Sequence, residues 1–158
     1  MKKIRAVAIL IKGDEVLLIH RKNEKEYFVF PGGGVEEGET IEEAVIREML
    51  EETTMEVKIN KLLYHHIYDN DTEQYFYLCD YVSGEPKLDE NSEEKEKMLE
   101  GKDFYDPKWI KIKELKNMLV YPLEIIDLLI KDYKNGFINP VNTLVIKISE
   151  LRDTPFTK

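Results

Sequence analysis

Between Pro31 and Met55 a run of three glycines leads into a helix whose closing turns carry Arg47, Glu48, Glu51 and Glu52. These acids sit at the wrong end of a helix. Its C-terminal end is negative, so each carboxylate there is unfavourable by roughly 0.3–1 kcal/mol, and like charges one turn apart add about 0.2–0.5 kcal/mol per pair. A divalent cation is the natural compensation.

The start of that helix is written in local chemistry. Thr40 followed by Glu43 matches the S/T-x-x-E capping box, which satisfies two orphan backbone donors and sets the helix start at about Thr40. Ile41, Val45, Glu48 and Glu52 then follow at spacings of four, three and four, placing all of them on one stripe of the cylinder. If Ile41 and Val45 face a core, Glu48 and Glu52 point the same way, with Glu51 beside them. A solvated acidic face would lie opposite.

Pro31, Gly32, Gly33 and Gly34 read as a turn with almost no side chain, able to adopt positive φ or to let the backbone approach a ligand closely. Alone, this is a weak signal. In register it is specific: Gly33, five residues, Glu39, seven residues, then Arg47-Glu48-Met49-Leu50-Glu51-Glu52 and Met55. This resembles the Nudix box, the signature of the Nudix hydrolases, which reads G, five residues, E, seven residues, R-E-U-x-E-E-x-G-U with U aliphatic. One position departs, Thr54 standing where the family has glycine. Because that residue ends the helix in the left-handed conformation, Thr54 should cost on the order of 1 kcal/mol if the geometry is kept.

The resemblance implies a Mg²⁺- or Mn²⁺-dependent pyrophosphohydrolase, in which water attacks a phosphorus of a diphosphate. It further implies Glu48, Glu51 and Glu52 as metal ligands, with the carbonyl of Gly32 as a fourth partner. It implies Glu48, Glu52 and Arg47 as the catalytic residues, the general base being one of the box glutamates, Glu48 foremost, or a glutamate from the polar connection 84–103, where Glu93, Glu94 and Glu96 are the candidates. Arg47 is expected to pair with Glu39 and orient Glu51, bracing the loop that Gly33 begins. Phe30-Pro31-Gly32-Gly33 is similar to the MutT-like branch, which acts on nucleoside triphosphates. ADP-ribose pyrophosphatases of the family tend to carry a proline just beyond the box, whereas no proline occurs between Pro31 and Pro86. The substrate is expected to be a nucleoside diphosphate derivative or a nucleoside triphosphate. Two other classes stand beside the enzyme: a sensor of the same fold that binds a nucleotide uncleaved, and an unrelated domain with a structural cation.

At 158 residues, 42% hydrophobic and 35% charged, the chain suits one domain. Residues 1–136 are assigned to it and 137–158 to an extension. Leu144-Val145-Ile146-Lys147-Ile148 is too apolar to dangle, so the extension adds a sheet edge or meets a second subunit of a homodimer. The net charge of −9 argues against binding nucleic-acid polymers. Cys79 stands alone, and the apolar run Ile4 to Ile11 is broken by Arg5 and too short for a signal or membrane helix. A cytoplasmic protein with no membrane partner is expected.

Periodicity predicts an α/β fold, which the resemblance makes an α/β/α sandwich around a mixed sheet. Strands are expected at Ile4–Ile11 and Val16–Arg21, joined by a hairpin at Gly13, and at Tyr27–Phe30, 57–69, 74–82 and Trp109–Ile112. Helices are expected at Leu115–Leu119 and, opened by Pro122, at Leu123–Tyr133. Tyr75, Tyr77 and Tyr81 share one face of their strand, either packing or stacking on a base. His20, His65 and His66 lack metal-type spacing and read as structural.

Overall fold

The computed structural model describes residues 2–87, 95, 98, 101 and 104–151. Its elements run β1 (Lys3–Lys12), β2 (Glu15–Lys22), β3 (Glu26–Val29), β4 (Gly32–Gly34), α1 (Ile41–Thr53), β5 (Glu56–Tyr68), β6 (Thr72–Ser83) and β7 (Phe104–Lys111). A 3₁₀ turn (Ile112–Asn117), β8 (Val120–Tyr121), a second 3₁₀ turn (Leu123–Ile125), α2 (Ile126–Lys134), β9 (Asn142–Ile146) and a third 3₁₀ turn (Ile148–Glu150) complete the order.

β1 organises the sheet. Along one edge it pairs in parallel with β6 from Lys3 to Leu10. Its other edge is shared: Ile11 and Lys12 meet β2 through the hairpin, while Arg5, Ala6 and Val7 meet β4. The strands follow the order β8-β3-β2-β1-β6-β5-β9, with β4 on β1 and β7 on β2. Parallel pairs (β1–β6, β3–β8, β5–β9) stand among antiparallel ones, giving a mixed sheet.

Alternation along β1 builds a core on each face. Ala6, Ala8 and Leu10 join Ala44, Val45 and Met49 of α1 on one side. Val7 and Ile9 join Ile126, Leu129 and Ile130 of α2 on the other. The result is an α/β fold of two helical layers about one sheet. Among the described residues no helix is long and apolar enough to cross a membrane.

Several boundaries differ from expectation. The glycines form a strand rather than a turn, and none of the three takes a positive φ. β7 begins at Phe104 rather than Trp109: among the described residues its one partner strand is β2, and such an edge tolerates Pro107. Ile112 and Leu115 are both buried at a three-residue spacing, so the segment expected as a helix from Leu115 is a 3₁₀ turn starting at Ile112. The helix after Pro122 opens with a 3₁₀ turn and becomes α-helical at Ile126. The tail supplies β9, parallel to β5, with Ile146 buried.

Candidate active site

Two elements meet at the site, α1 and the glycine strand β4. Thr40 caps α1 as its sequence demands: its Oγ1 accepts from the Glu43 N–H at 3.1 Å, and the Glu43 carboxylate accepts from the Thr40 N–H at 2.9 Å. At the far end Thr54 adopts the left-handed conformation, φ 60° and ψ 14°, and donates its N–H to the Leu50 carbonyl at 3.0 Å. Its hydroxyl donates to the Glu85 carbonyl at 2.9 Å.

The glycines serve close approach. A Cβ on Gly32 would stand 2.5 Å from the Ala6 carbonyl oxygen, so only glycine lets β4 lie this near β1. The Gly32 N–H donates to Oε1 of Glu52 at 3.2 Å. Glu52 is 7% exposed, a buried acid on the same helix face as Val45 and Met49. Gly33 faces the Glu48 carboxylate, which is likewise largely buried.

Arg47 ties these parts together. Its Nε and Nη2 donate to the two carboxylate oxygens of Glu39 at 2.7 and 2.9 Å, a fork that a planar guanidinium fits well. Nη2 also donates to the Gly34 carbonyl at 3.0 Å, while Nη1 donates to Glu48 at 2.8 Å and to Glu51 at 3.4 Å. The Glu39 bond, ahead of that from Glu48, holds the guanidinium firmly charged. In return, Arg47 holds the Glu39 carboxyl below its usual range. Glu51 moves the other way: burial, then the charge of Glu48, raises it above an ordinary carboxylate.

Glu39, Arg47, Glu48 and Glu51 thus form one connected network, and beside it Glu52 of α1 meets the amide of Gly32 on β4. Among the described residues no three acid, histidine or cysteine side chains close into a complete cation cage. Arg47 occupies oxygens of Glu48 and Glu51, and Glu52 is turned to the Gly32 amide. The oxygen-only donor set, with Glu51 disfavoured by its acidic neighbour, still suits a hard divalent ion. Glu93, Glu94 and Glu96 lie outside the described residues.

The Gly34 carbonyl is a contact that sequence reasoning missed. The third glycine of the run was its only signal. Elsewhere, His65 Nε2 lies 2.5 Å from Glu73 with its ring stacked on Tyr75. Burial pushes the His66 imidazole down to about 4. His20 stacks on Phe28 with Nε2 3.2 Å from Glu26. Tyr77 and Tyr81 pack against the α1-side core, and Lys12 lies over the Tyr81 ring.

This chain matches the model of the NUDIX domain over residues 1–128. It is 40% identical over 95 residues to an ADP-ribose pyrophosphatase of Methanocaldococcus jannaschii, an overlap of 56% of each chain. It is 33% identical over 94 residues to an 8-oxo-dGTP diphosphatase of Escherichia coli, covering 54% of this chain and 73% of that one. The chain therefore spans little more than half of the first relative's length. A NUDIX hydrolase from Nitrosomonas europaea shares the fold with a TM-score of 0.70 at 18% identity, over 92% of this chain and 79% of that one. The glycine strand, the capped acidic helix and its arginine brace thus fall inside the stretch that the family model covers, and the chain belongs to the NUDIX domain family.

Proposed function

We propose that the protein is a divalent-metal-dependent hydrolase that cleaves a diphosphate bond of a small nucleotide by attack of water on phosphorus. The observation that carries this reading is the junction of α1 with β4, where Arg47 gathers Glu39, Glu48, Glu51 and the Gly34 carbonyl beside the buried Glu52. Glu48, Glu51 and Glu52, with the Gly32 carbonyl, are the proposed ligands of Mg²⁺ or Mn²⁺. When bound, such an ion neutralises charge on the phosphate oxygens and makes a coordinated water more acidic.

The remaining chemistry belongs to the chain. Glu48, held beside Gly33, is the proposed acceptor of the attacking water's proton; a loop glutamate among Glu93, Glu94 and Glu96 is the alternative base. Arg47 keeps its positive charge throughout and fixes the carboxylates through donors that never compete as ligands. The names of the relatives support two substrate types, ADP-ribose and an oxidised nucleoside triphosphate. The free, buried Cys79 is in keeping with a cytoplasmic setting.

The test is phosphate or nucleotide release from ADP-ribose, 8-oxo-dGTP and ordinary nucleoside triphosphates, with Mg²⁺ and with EDTA. Turnover of at least one compound, abolished by EDTA and by Glu52→Gln in a folded protein, is the expected result. Binding without turnover would identify a sensor. Neither binding nor turnover would leave a structural cation site and overturn the assignment.

A further inference from the structure

A second candidate site lies on the α2 side of the sheet. There a recess of about 400 Å³ opens between the β1–β2 hairpin turn, the 3₁₀ turn Ile112–Asn117 and the end of α2. Its volume falls in the range of small-molecule sites. It is also remote from α1. The hairpin turn and the Arg5–Val7 segment that holds β4 are at opposite ends of β1, a separation of about 20 Å at the rise of an extended strand.

The recess has an apolar floor, an aromatic wall and a cationic rim. Ile112 and Ile130 are buried beneath it. The Tyr133 hydroxyl donates to the Gly13 carbonyl at 2.9 Å, which ties α2 to the hairpin and fixes the ring as a wall. Lys113, Lys116 and Lys134 form the rim. Lys113 and Lys116 stand three apart on a 3₁₀ turn, so their side chains leave from the same side. Lys111 neutralises Asp14, the acid of the lining, at 3.1 and 3.2 Å. Among the described residues no acid lies within ion-pair distance of the three rim lysines. On a chain of net charge −9 this is a local excess of positive charge: Asp14 is the one acid of the lining, bonded to Lys111 and more weakly attracted by Lys113.

We propose that the recess binds a nucleoside monophosphate or a phosphate ester of similar size. The phosphate sits on Lys113, Lys116 and Lys134, and the organic part lies against the half-buried Tyr133 ring. An ammonium–phosphate contact supplies charge-assisted hydrogen bonds, and the ring face rewards an organic moiety that inorganic phosphate lacks. The site is independent of the hydrolase reading.

The test is a ¹H–¹⁵N NMR titration of the full chain in EDTA, with AMP in one arm and inorganic pyrophosphate in the other. With AMP, saturable shifts are expected at amides 112–117 and 133–134. The Lys113→Gln/Lys116→Gln variant should bind roughly tenfold more weakly or worse. Its spectrum elsewhere and its turnover without AMP should be unchanged. AMP shifts absent from these amides, or persisting undiminished in that variant, overturn the site. Pyrophosphate binding as tightly as AMP overturns the assignment of an organic phosphate.

Discussion

An ideal Cβ on residue 33 would stand 2.4 Å from Oε1 and 2.7 Å from Oε2 of Glu48, so Gly33 and Glu48 occupy adjoining volumes that only a hydrogen side chain keeps compatible. Gly33→Ala must therefore turn the carboxylate away. Because a carboxylate at the end of a flexible chain moves cheaply, the stability change should stay below about 1 kcal/mol, while turnover falls roughly 10–100-fold through the lost position of Glu48. Paired thermal melts and steady-state rates check this: unchanged turnover would remove Glu48 from the chemistry.

Arg47→Lys tests the brace. Lysine offers one point charge where arginine makes the fork to Glu39 and reaches the Gly34 carbonyl and two further glutamates. We expect kcat to drop roughly 10–100-fold with a stability loss of only about 1 kcal/mol, since partly exposed ion pairs contribute little to folding. A melting temperature that collapses with full specific activity in the surviving folded fraction would make Arg47 a folding residue instead.

His66 carries a pH signature. Burial, reinforced by the charge of His65, lowers the imidazole from 6.5 to about 4, so the unfolded chain binds a proton more readily than the folded one between these values. Its contribution is complete above pH 6.5, declines as pH falls towards 4 and changes no further below that, a total of roughly 3 kcal/mol. Urea unfolding at pH 7.5, 5.5 and 4.5 should show this decline, and His66→Gln should flatten it. An equally steep decline in the variant would assign the proton to another group.

Thr54→Gly should stabilise the protein. The left-handed backbone at φ 60° costs a β-branched residue about 1–2 kcal/mol, and glycine escapes it. The lost hydrogen bond to the Glu85 carbonyl and the greater freedom of an unfolded glycine offset part of the gain. A net gain of about 0.5 kcal/mol, read as a small rise in melting temperature, is the expected outcome; a fall would mean that the Glu85 contact outweighs the strain.

What could be read in the residues was local. Thr40 and Glu43 announce the start of α1 because capping involves groups within one turn, and the stripe from Ile41 to Glu52 follows from helical periodicity alone. Strand β4 was not legible: three glycines carry no alternation, and their pairing depends on Arg5, Ala6 and Val7, more than twenty residues away. Pro107 masked the first half of β7, which only its edge position explains. Val120–Tyr121 is too short to show a period and becomes a strand through Phe28 and Val29. At the site, residue types and their helix face were visible, whereas the turning of Glu52 to the Gly32 amide depends on how closely β4 approaches β1.

Since β1 gives the hairpin one end of an edge and the glycine strand the other, the interval from Arg5 to Lys12 works as a ruler for the whole molecule. Adding a residue at the Gly13 tip would merely lengthen a loop. Adding one between Val7 and Leu10 would swap the inward and outward sides of the rest of β1, taking Ala8 and Leu10 out of the floor on which α1 rests.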